Sequence, residues 1–130
     1  MRVRKTRDRS DHETAHAESM NRVEPLSARV RDYRRMVVGV GSIELLIHNS
    51  ASLKTKRQVV KSILGKVRSK FDVSIAEVDH HDKWQRCAIG FAVVTNERGH
   101  AHTLAQNIVA YVEGLHIAEI IDSQIEIVNY

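Results

Sequence analysis

Two adjacent histidines stand between aspartates in the stretch EVDHHDKWQRCAIG, Glu77 to Gly90, followed by a tryptophan, an arginine and the single cysteine of the chain. These residue types admit three chemistries. Asp79, His80, His81 and Asp82 are metal-ligating groups, a histidine oriented by Asp79 or Asp82 is an acid/base pair, and Cys87 is a nucleophile when ionised. A zinc site needs three or four ligands converging at about 2 Å, and neighbours on an extended strand point to opposite faces. A turn would have to redirect one histidine, with His48 or His116 supplying a further ligand, and no familiar metal spacing is present. Acid/base catalysis lacks an obvious nucleophile or phosphate loop. Alternation puts Cys87 on the core side with Ile89, Phe91 and Val93, as a small apolar residue. Trp84 and Arg86, two apart, share the other face, where they can stack. The expectation is a solvated turn, with no metal and no cofactor.

A second chemistry lies upstream. Residues 53–70 hold Lys54, Lys56, Arg57, Lys61, Lys66, Arg68 and Lys70 and no acid. Residues 36–130 as a whole carry ten basic and ten acidic side chains, so the rest of this region stands at −7. The pattern predicts a face on which Ser52, Lys54, Lys56, Arg57 and Lys61 contact RNA phosphates, aided by the N–H groups and positive dipole of a helix start. The plainer alternative is a solvated face whose lysines meet Asp79 or Asp82, worth little if exposed.

The elements that position these residues follow from periodicity. Residues 37–48 (VVGVGSIELLIH) read as a β-branched strand. Ser52 is an N-cap for a helix from 53 to about 69, with an apolar stripe at Leu53, Val60, Ile63, Leu64 and Val67. Residues 71–79 and 84–95 form two strands joined by a short turn. A second helix covers about 97–114, with Leu104, Ile108, Tyr111 and Leu115 on one face and Gly114 suited to its end. Residues 119–128 alternate, with Ile121, Ile125 and Ile127 opposing Asp122, Gln124 and Glu126.

The order β-α-β-β-α-β with right-handed crossovers predicts an α+β ferredoxin-like sandwich, a four-stranded antiparallel sheet in order 4-1-3-2 with two helices on one face. In that topology His48, Ser50, Ser52, Lys54, Asp79, His80, His81, Asp82 and His116 gather at one rim. His100 and His102 fall on the other, which rules out a six-histidine cluster. The outer sheet face carries Trp84 alone among aromatics, and that at the rim, so base stacking of the RRM kind is not expected. Its small residues suit packing against another chain, such as a homodimer partner.

Length and charge set the outer limits. The 130 residues suffice for one domain plus a tail. Residues 1–35 carry ten Lys/Arg against six Asp/Glu and the only proline, without periodicity, and read as a disordered charged extension to a domain at 36–130. The basic pI thus belongs to the tail. No apolar run approaches a membrane span, no apolar signal segment opens the chain, and a lone cysteine suits a reducing compartment. The expected address is the cytoplasm.

With this order established, SLKTKRQVVKSI (52–63) and VSIAEVDHHDKWQRCAIGFAVVTN (73–96) resemble the YlxP-like family, small bacterial proteins with a ferredoxin-like fold, over about Met36 to the end. The family commonly has Glu where Thr55 stands, so half of a capping box with Ser52 is missing here. The resemblance implies genes lying near those for translation initiation and ribosome maturation, hence work on the ribosome or its RNA. The expected function is a non-enzymatic accessory protein contacting RNA or a ribosomal subunit through the basic helix. The nearby rim (Asp79, His80, His81, Asp82, Trp84 and Arg86) forms a second contact wall. A small hydrolase at the His80/His81 hairpin and a homodimeric adaptor are the alternatives.

Overall fold

The computed structural model describes residues 36–130, and the expected disorder of the charged extension lies outside the described residues. The elements run β1 (Val37–Leu46), α1 (Leu53–Lys70), β2 (Ser74–Asp79), β3 (Arg86–Thr95), α2 (Arg98–Gly114) and β4 (Glu119–Asn129). All pairings are antiparallel and the order is β2-β3-β1-β4, the ferredoxin-like α+β arrangement. Among the described residues, no helix is long and apolar enough to cross a membrane.

The core lies between the helices and one sheet face. Ile43 and Leu45 of β1, Ile75 of β2, and Cys87, Ile89, Phe91 and Val93 of β3 meet Val60, Ile63 and Val67 of α1. Helix α2 buries Ala101, Ala105, Ile108 and Val112; of the expected face only Ile108 is fully buried, and Leu104, Tyr111 and Leu115 flank the core half-buried. The reason lies in β1. A Cβ at Gly39 would stand 3.3 Å from the Ala101 carbonyl, so α2 approaches the sheet closely there and only alanine fits beneath it. Gly41 leaves the space that the Phe91 ring occupies.

Three local features depart from expectation. Strand β3 begins at Arg86, so residues 80–85 form a six-residue turn, with Trp84 outside the strand. In β4 the register slips between Glu44 and Leu45 of β1, which turns Ile120 toward the core and leaves Ile121 exposed. The residue that turns the chain out of α2 is His116, at φ 55°, rather than Gly114.

Candidate functional site

Lys56 organises the rim. It sits on the buried stripe of α1 with Val60, Ile63 and Val67, and its side chain is 0% exposed. Its ammonium donates to Glu77 Oε2 at 2.6 Å and to the His80 carbonyl at 2.7 Å. Glu77 points inward from β2 by the same alternation that buries Ile75. Lys56 therefore cannot meet a phosphate, and the predicted contact set loses it: a buried cation requires a buried partner, and Glu77 is that partner. Cys87 lies beside this pair, fully buried. Burial first, and then the Glu77 carboxylate, push its thiol up to about 12, so it stays protonated and inert.

The hairpin turn is held from both sides. His80 adopts φ 64°, in the left-handed region, and its N–H donates to Asp79 Oδ1 at 2.7 Å. Its ring Nε2 lies 3.2 Å from Glu44 Oε2 on the outer sheet face, whereas His81 Nε2 lies 3.2 Å from the Glu77 carbonyl. The two imidazoles have separate partners, and among the described residues no three His, Cys, Asp or Glu side chains converge as metal ligands. Arg86 donates to Glu44 Oε1 at 2.6 Å. It thus takes a carboxylate in place of the expected stacking on Trp84, which stays 54% exposed. The Arg86 hydrogen bond, with a lesser one from His80, holds the Glu44 carboxyl below its ordinary range despite some desolvation. Gln85 was not singled out from sequence, yet its carbonyl accepts from Ile47 N at 2.8 Å and its amide donates to Ser50 O at 3.2 Å. Gln85 fixes the hairpin to the β1–α1 loop.

That loop sets the start of α1. Ser52 Oγ accepts from Thr55 N at 3.1 Å, the half of the capping box that serine supplies, and donates to Thr55 Oγ1 at 3.1 Å. Beyond the cap the cations divide into two groups. Arg68 donates to the Ile75 carbonyl at 2.6 Å, and Lys70 lies 5.4 Å from the centre of the Tyr111 ring. Lys54, Arg57, Lys61 and Lys66 are exposed and make no salt bridge among the described residues. Lys54, Arg57 and Lys61 follow i, i+3, i+7 spacing and so share one side of the helix.

A separate groove of about 680 Å³ opens where the β1–α1 loop faces the α2–β4 connection. His48, Asn49, Glu113, His116 and Glu119 are among its lining residues, and His48 Nε2 lies 2.8 Å from Glu119 Oε1. Asn49, at φ 64°, and His116, at φ 55°, are both left-handed. Of the sequence-predicted rim, then, His80 is held through its carbonyl by Lys56 and Ser52 caps α1, while His48 and His116 line the separate groove.

Residues 38–125 match the family described as "Protein of unknown function (DUF503)". The chain belongs to the DUF503 family. The protein titled "Uncharacterized protein YlxP" of Bacillus subtilis (strain 168) is 38% identical over 77 residues, covering 59% of this chain and 84% of that protein. The YlxP-like resemblance carried by the SLKTKRQ and EVDHHDKWQR elements therefore holds, and both elements fall within the DUF503 match. Among solved structures, "De novo designed protein Foldit4" superposes at a TM-score of 0.39 with 14% identity, over 75% of this chain and 97% of its own, too loosely to inform the fold.

Proposed function

We propose that this DUF503 domain is a non-enzymatic accessory protein of the cytoplasm that contacts RNA, or a ribosomal subunit carrying it, through the outer face of α1. One observation carries the reading: Lys54, Arg57 and Lys61 stand exposed on one side of a helix without a single acid, and no described carboxylate engages them. Phosphate recognition needs such a row of unneutralised cations, because its affinity comes from releasing counterions. The contact set is Ser52, Lys54, Arg57 and Lys61, with Lys66 on the flank and Lys56 excluded. His81, Asp82 and Trp84, exposed on the turn whose His80 carbonyl Lys56 holds, form the adjoining wall.

The test is co-sedimentation of the full chain with ribosomal subunits at moderate salt. Replacing Lys54, Arg57 and Lys61 together by glutamate should abolish it, with the thermal transition retained. Unchanged co-sedimentation would remove α1 as the contact.

A further inference from the structure

The two open edges of the sheet are built differently. β2 is six residues long, and Arg68 from α1 occupies its Ile75 carbonyl at 2.6 Å. β4 runs for eleven residues, mostly exposed, and among the described residues its edge receives a side chain only at Ile127, whose carbonyl lies 3.5 Å from Arg98 Nη1. That contact marks the Ile127 carbonyl as pointing away from β1. Backbone direction alternates with a period of two along an antiparallel strand, so Ser123 and Ile125 also turn their N–H and C=O groups outward. A long unpaired edge is a template for another strand, and proteins usually blunt it with lysine, proline or a cover. β4 contains neither lysine nor proline.

Charge decides which strand fits. Glu119 has His48 as its partner, but Asp122 and Glu126 are exposed, make no salt bridge among the described residues, and have no basic residue on β4 to offset them. The groove beside Glu119 adds Glu113 at the start of the strand. Pairing of β4 with β4 of a second copy would line two sets of these carboxylates along one seam, which like-charge repulsion disfavours. Asp122, Gln124 and Glu126 pair with Glu44, Ser42 and Val40 and so share the outer sheet face, while Ile125 and Ile127 belong to the helix side.

We infer that the β4 edge docks an extended segment of a partner protein in which arginine or lysine alternates with apolar residues, added as a fifth strand. The outward backbone groups of Ser123 and Ile125, with the Ile127 N–H, hydrogen-bond it. Asp122 and Glu126 receive its basic side chains on the outer face, and its apolar side chains extend the layer under α2. This surface is separate from the α1 face and does not depend on it.

The probe is a nine-residue peptide alternating arginine with valine, compared with a version carrying glutamate for arginine, each titrated against the full chain by fluorescence anisotropy and followed by amide hydrogen exchange. The basic peptide should saturate and slow exchange at Ser123, Ile125 and Ile127, while the acidic one does neither. Asp122→Lys with Glu126→Lys should weaken binding about tenfold or more while leaving the backbone edge intact. Ser123→Pro, which removes one outward donor, should weaken it through a different route. Equal binding of the two peptides, protection elsewhere or no binding would overturn the inference. So would protection of these amides that grows with protein concentration in the absence of peptide, the mark of a β4–β4 dimer.

Discussion

An ammonium without exposed surface is tolerated only while its partners remain, and Lys56 has two, the Glu77 carboxylate and the His80 carbonyl. Lys56→Ala strands Glu77 in a largely buried setting, so it should destabilise the fold by about 3–5 kcal/mol in a urea titration at neutral pH. Lys56→Met combined with Glu77→Leu should recover most of that loss, because burying neither charge is close to neutral. Glu44 behaves differently, being held by Arg86 and His80 at the surface. Its carboxyl is lowered from 4.5, so the native state resists protonation more than the unfolded chain does. The resulting stabilisation is complete above that value and is lost as pH falls through the lower, folded-state one. The urea midpoints of the natural chain and Glu44→Gln should therefore differ at neutral pH and converge on acidification below 4.5.

At the scale of elements, α1 carries a glycine for which the fold supplies no reason. A Cβ at Gly65 would meet nothing within 4 Å, and its φ is not positive. Gly65→Ala should raise stability by about 0.5–1 kcal/mol, read as a higher thermal midpoint. Element order and type were legible in the sequence because the β-branched run of β1 and the 3.6-residue stripe of α1 are strong periodic signals. The fate of Lys56 was legible in part: it stands at i−4 from Val60 on the apolar stripe, while Glu77 alternates inward with Ile75. Seven cations on one helix hid that signal, since each resembled its neighbours. The β4 slip was not legible. It depends on how β1 and β4 pair, and one extra residue reverses which isoleucine faces the core. Gln85 was hidden for a similar reason, as its partners, Ile47 and Ser50, come from the distant β1–α1 loop.

Across the whole domain, charge is segregated rather than mixed. The cations of α1 gather over β2, and the carboxylates of β4 line the opposite edge of the sheet, three strand spacings or about 14 Å away. A domain of zero net charge can thus attract a polyanion on one side and a polycation on the other, which its overall charge conceals. Surfaces this far apart, with no shared side chain, should act additively. On the proposed reading, the Lys54, Arg57, Lys61 triple glutamate variant should lower the slope of log affinity for RNA against log salt by about 2–3, one phosphate contact for each cation lost. It should leave binding of the arginine–valine peptide unchanged. Asp122→Lys with Glu126→Lys should do the reverse, losing the peptide and keeping the salt slope for RNA. Loss of both activities in either variant would mean that the two faces share one site, and the segregation of charge would then serve a single partner.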